Sequence, residues 1–158
     1  MFELAKKETF FTATQGKSRD DLRDMIFKLQ EDMITMKNNG ELTDLDFPVE
    51  HFFAPHVYAR QMMLPEGGLI VGKIHKHSHV NIISKGHCYV LTDNGAVELK
   101  APCTFISEAA TKRVVLVIEE TMWTTIHATD ETDLDRIEKY VIAETYDDTN
   151  IFDLKVDI

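Results

Sequence analysis

The chain lacks most of the features that would assign it at sight. It has two cysteines, Cys88 and Cys103, and no CxxC spacing. That argues against a disulfide framework or a zinc knuckle, and a reducing compartment is the simpler expectation. No window approaches the ~18 consecutive apolar residues of a membrane span. The opening Met1-Phe2-Glu3-Leu4-Ala5-Lys6-Lys7 has no signal-peptide core. Neither membrane insertion nor signal-directed secretion is expected. Basic residues form no block longer than a pair, and 27 acidic against 17 basic residues leave a formal charge of -10. A nucleic-acid surface needs a positive field, so no nucleic-acid partner is expected. Nucleophile elbow, phosphate loop and paired catalytic carboxylates are missing too, as are internal repeats.

What is present concentrates between Gly72 and Gly86. His75, His77 and His79, three of the seven histidines, alternate there in a run otherwise rich in Val and Ile. In an extended strand such residues project to one face, about 7 Å apart. Neutral imidazole is the commonest ligand for Zn, Fe, Mn, Ni or Cu. A row on one strand cannot close a coordination shell, so a partner from elsewhere is needed. The same row is equally compatible with a surface strand.

At 158 residues the chain has the length of one ordinary domain. Residues 1–17 show no period and are expected to be an arm. Ser18-Arg19-Asp20-Asp21 resembles a capping box. Leu22, Met25, Ile26, Leu29, Met33 and Met36 then form one helical stripe, stopped at Asn38-Asn39-Gly40. From Phe47 the period shortens. Strands are expected at 47–53, 57–64, 69–75, 79–84, 87–92, 96–99, 104–107, 113–119 and 122–128. Turn residues separate them, Asn94-Gly95 being the strongest hairpin signal. Many short strands imply a sandwich or barrel. A second helix is expected from 132 to about 143, and a last strand over Ile151–Ile158.

The histidine stretch resembles the first motif of the cupin family. Gly72, His75-x-His77 and Gly86 match it, with His79 where a carboxylate usually sits. His75 and His79 could equally be the inward pair. The second motif is recognisable from Val97 to Val114, but its Pro-x-Gly-x-x-His has become Ser107-x-Ala109-x-x-Lys112. A protonated lysine offers a metal no lone pair. Further stretches, including His51–Arg60, Val80–Gly86 and Trp123–Thr129, are similar to small cupins of tailed bacteriophages.

The resemblance implies a mainly β, cupin-like jelly-roll barrel over 47–130. An N-terminal arm and amphipathic helix (1–46) and a C-terminal helix with a terminal strand (131–158) flank it. It implies a homo-oligomer, dimer or higher, with other virion proteins as further partners, in the host cytoplasm or the virion. The expected role is a non-catalytic virion, tail-associated or accessory protein with a histidine-lined pocket for one divalent metal (Zn, Fe, Mn or Ni). The alternatives are a metal-dependent enzyme of dioxygenase or isomerase type and a small-molecule binder.

His127 is the partner the row requires, since Trp123, Thr125 and His127 share a strand face. The other reading has it capping a strand end. The candidate ligands are thus His75, His77, His79 and His127, with His77 the one most open to turning outward. Trp123, Thr125, Lys112, Asn81, Tyr58 and Arg60 are candidate pocket residues. Lys112 has three readings: paired with Glu119, bound to an anion, or solvated beside Arg113, the last being the common fate of a charge at a strand start. His51, His56 and His87 have no spacing that ties them to the row.

Overall fold

The computed structural model describes residues 7–146. Two helices come first, α1 (Lys7–Thr12) and α2 (Arg19–Asn38). Strands β1 (Val49–Ala54), β2 (Val57–Leu64), β3 (Leu69–Val71) and β4 (Ile74–His75) follow. After them come β5 (His79–Thr92), β6 (Gly95–Lys100), β7 (Cys103–Ser107) and β8 (Val114–Ala128). Helix α3 (Leu134–Val141) and β9 (Ile142–Ala143) complete the described chain. The expected strand Ile151–Ile158 lies outside the described residues.

Helix α2 starts where its cap chemistry dictates. The Ser18 hydroxyl accepts from the Asp21 amide, and the Asp21 carboxylate accepts from the Ser18 amide. Leu22 and Ile26 are buried against Tyr89, Leu91, Val114 and Leu116, each contributing roughly 1.5–3 kcal/mol. Only the first half of the apolar stripe is used this way; Met33 and Met36 are half-buried. Arg19 and Arg23 both reach the buried Asp93 carboxylate, at 2.7 and 2.9 Å, which ties the helix to the β5–β6 turn. Phe10 and Phe11, expected in an irregular arm, sit on α1 and pack against Tyr89. Six residues are too few to display a period.

Strands β5 and β8 form the spine of the barrel. The order β1-β2-β8-β5-β6 carries β3 on β8 and β7 on β5, while β4 and β9 pair separately. The sequence suggested four strands here, broken near residues 85 and 120. Instead each pair is continuous, at 14 and 15 residues. Its register slips between Ile83 and Cys88. Below the slip, β5 pairs with β7 and with the Trp123–Ile126 part of β8. Above it, β5 pairs with β6 and with Val114–Glu119. The irregularity bends both strands from one barrel wall into the other. Gly86 makes the bend feasible: its φ is +94°, and a Cβ there would sit 2.3 Å from the Glu120 carbonyl oxygen.

Leu64, Ile83, Cys88, Val90, Val115, Val117 and Trp123 fill the space between the walls. Tyr58, Ile137 and Val141 form a separate cluster that seats α3. Among the described residues no helix is long and apolar enough to cross a membrane.

Candidate metal and ligand site

The histidine row does not behave as one strand. His75 ends the two-residue β4, held to β9 by pairing with Ile142. The chain then leaves the ladder for Lys76-His77-Ser78 and re-enters at His79, which opens β5 opposite Ser107. The excursion turns His77 away. Its Nε2 lies 3.0 Å from the Tyr140 carbonyl oxygen, and its ring packs 4.6 Å from Tyr140. His77 therefore stands outside the cluster that its neighbours form.

His127, on β8 opposite Tyr58 of β2, meets His75 and His79. One ring nitrogen from each lies within 4.8 Å of the others. Ring centroids are 4.5 Å apart for His75–His79, 4.7 Å for His79–His127 and 6.0 Å for His75–His127. Burial pushes all three imidazoles down from 6.5, His75 to about 2 and His79 and His127 to about 4. The other histidines and Arg113 depress His75 and His127 further, and Arg113 adds to the shift at His79. All three are therefore neutral at ordinary pH, the state in which a ring nitrogen keeps a lone pair.

The partners of these nitrogens differ. His79 Nδ1 donates to the His77 carbonyl oxygen at 3.2 Å, which leaves Nε2 as its acceptor, 3.3 Å from an Arg113 nitrogen. His127 Nε2 lies 3.2 Å from the Thr125 hydroxyl. Among the described residues His75 Nδ1 is buried without a well-formed hydrogen bond, the Lys73 backbone making only a weak contact with the ring that raises its pKa slightly. A buried polar atom without a partner is costly, and a metal ion is one way to satisfy it. Around a tetrahedral zinc, ligand nitrogens are about 3.4 Å apart. The donor set fits such an ion after the rings draw inward, with a position left open. Among the described residues no carboxylate belongs to the cluster.

A cavity of about 530 Å³ adjoins the histidines, lined by Phe47, Tyr58, Leu64, Ile70, Val115 and Trp123 among others. Of the expected pocket residues, Tyr58, Arg60, Trp123 and Thr125 line it. Asn81 is fully buried behind it and fixes its back wall. Its Oδ1 accepts from Trp123 Nε1 at 2.9 Å and from Arg113 at 3.1 Å, while its Nδ2 donates to Ser107 Oγ and the His79 carbonyl oxygen. Arg60 donates to Met62 Sδ.

Lys112 is not solvated. It is buried, donates to the Gly72 carbonyl oxygen at 2.7 Å and lies over the Phe27 ring, because α2 covers the start of β8. Nor does it pair with Glu119. The residue that reaches the cavity is its neighbour Arg113, which the sequence reading passed over. Its signal was a charge placed directly before the apolar run Val114–Ile118. His51 also belongs here, through a 2.7 Å contact of Nδ1 with the Tyr58 hydroxyl. His56 and His87 pair with Asp130 and Glu98 away from the site.

No family model matches the chain, and no curated protein does. Solved structures do resemble it. Salicylate 1,2-dioxygenase from Pseudaminobacter salicylatoxidans superposes with a TM-score of 0.51 at 8% identity, over 75% of this chain and 36% of that one. An RmlC-like cupin family protein with a double-stranded β-helix fold, from Methanocaldococcus jannaschii, gives 0.46 at 17% identity, over 55% and 84%. KdgF from Halomonas sp. gives 0.48 at 12% identity, over 60% and 90%. The fold is cupin-like. At these identities the likeness concerns the fold alone. The chain spans about a third of the dioxygenase's length.

Proposed function

We propose that the chain binds one divalent transition metal, Zn, Fe, Mn or Ni, through His75, His79 and His127, and receives a small organic molecule in the adjoining cavity. The observation that carries this reading is the convergence of three neutral, largely buried imidazoles, one with a nitrogen that makes no well-formed hydrogen bond among the described residues. A bound metal would supply Lewis acidity or redox chemistry at its open position. Thr125 holds the His127 ring, and the His77 carbonyl oxygen holds the His79 tautomer. Such outer contacts commonly set ligand orientation. The largely apolar walls suit the hydrocarbon part of a bound molecule.

Elemental analysis of untagged protein tests the reading, beside a His75→Ala/His127→Ala double variant. Near-stoichiometric metal in the wild type, lost in the variant, is expected. No metal in either overturns it.

A second, compatible reading is self-association. Strand β1 ends the sheet order, and Phe52, Phe53 and Val57 are exposed there. An edge strand with exposed apolar residues is a template for another chain. Solution mass that follows Phe52→Glu/Phe53→Glu to monomer would support it. The virion or tail-associated role implied by the phage resemblance would require the protein at fixed stoichiometry in purified particles.

A further inference from the structure

Two of the buried charges among the described residues are treated in opposite ways. Asp93 is buried and meets two arginines, so its charge is neutralised. Arg113 is 7% exposed, and among the described residues it forms no ion pair. Its bonds go to neutral acceptors: Asn81 Oδ1 at 3.1 Å, Ser107 Oγ at 2.6 Å and His79 Nε2 at 3.3 Å. Its guanidinium carbon lies 5.2 Å from the Trp123 ring centre. An uncompensated buried cation is costly. Burial pushes its pKa down to about 10, which still leaves it charged at neutral pH.

A guanidinium offers five N–H groups; the three bonds above leave Nε–H and one Nη1–H free on a side chain that lines the cavity. The rest of the wall has the same sign. Arg60, Lys73 and Arg113 face one acid, Glu138, and that carboxylate is already tied to Lys73. A chain with a formal charge of -10 has thus gathered a positive cavity. The remaining lining is largely apolar.

We propose that the cavity takes a small organic monocarboxylate, with the carboxylate on the free N–H groups of Arg113 and its apolar body against Trp123, Ile70 and Val115. A carboxylate is the strongest acceptor a free guanidinium N–H can find, because the bond is charge-assisted. One negative charge balances the buried cation that lines the cavity and has no ion pair among the described residues, and a hydrocarbon body suits the walls. The inference rests on reading the cavity as a ligand site, and it needs no metal.

The test uses the full chain after chelator treatment. Trp123 is the sole tryptophan, so its fluorescence reports on the cavity directly, with titration calorimetry in parallel. The probes are hexanoate and 3-phenylpropionate, each beside its neutral amide, with inorganic phosphate as a further anion. Saturable binding of at least one acid is expected, at least tenfold tighter than its amide and tighter than phosphate. Arg113→Lys should weaken the acid about tenfold, because a mobile point charge replaces N–H groups held in place by Asn81 and Ser107, and Arg113→Met should erase the preference over the amide. Equal binding of acid and amide, no saturable response to either acid, or phosphate binding tighter than both would overturn the proposal. The wild-type comparison and Arg113→Lys decide the matter even if Arg113→Met fails to fold. A protein that holds no metal in elemental analysis yet prefers the acids would lose the metal reading and keep this one.

Discussion

An Arg113 side-chain nitrogen lies 3.3 Å from Nε2 of His79, so a permanent cation donates to the lone pair a metal would use. Guanidinium and metal compete for one nitrogen and repel each other across a largely buried site. Removing the cation should therefore strengthen metal binding. Arg113→Met is expected to tighten zinc by roughly tenfold, the scale of a few-ångström charge pair after partial screening. Competition against a chromophoric chelator measures it. The same substitution is expected to erase carboxylate preference, so the two ligands should respond with opposite sign. Unchanged or weaker zinc binding would show that the arginine does not oppose the ion.

Asn81 is the junction on which the site's back wall depends. Replacing it with leucine, of similar volume, leaves the Trp123 indole N–H and one Arg113 N–H without their acceptor. It also removes a donor from the His79 carbonyl oxygen and from the Ser107 hydroxyl, which keeps only its bond from Arg113. A loss of about 3–5 kcal/mol is expected in urea unfolding. A loss under 1 kcal/mol would mean that water replaces the amide freely.

Gly86 should tolerate no side chain. Its positive φ and the 2.3 Å approach of Glu120's oxygen oppose even alanine. Gly86→Ala is expected to cost about 3 kcal/mol or more, through strain and overpacking at the bend. Chemical denaturation gives the value. A neutral substitution would show that the bend moves easily.

Acid should act on the fold through the imidazoles. His75, His79 and His127 titrate near 2, 4 and 4 in the folded chain, below their ordinary 6.5. Between those values the unfolded chain binds protons that the native chain refuses. Stability present above pH 6.5 is therefore lost as pH falls toward 4, by up to about 2 kcal/mol per histidine at pH 5. The urea midpoint of chelator-treated protein should drop between pH 7 and pH 5, and drop less in His127→Phe. Identical drops would remove His127 from the effect.

Local physical chemistry made much of the protein legible from residues alone. The Ser18–Asp21 cap and the apolar spacing after it specify α2, and alternation with the Asn94-Gly95 turn specifies the β5–β6 hairpin. The shared face of Trp123, Thr125 and His127 placed the fourth histidine among the candidates. These are properties of three to fifteen neighbouring residues, and a linear chain displays them. What the chain could not display was which of several equivalent groups face each other after the bends. The slip at Gly86 joined strands that looked separate, and the excursion at Lys76–Ser78 separated His77 from its row. Adjacent cations met different fates: Lys112 lies under α2, and Arg113 reaches the cavity. Burial and charge neutralisation depend on elements 32 to 74 residues away, such as Asp93 against Arg19 and Arg23 or Arg113 against Asn81. Only the assembled barrel brings those groups together, so only the tertiary structure decided that one buried arginine has no counter-ion among the described residues.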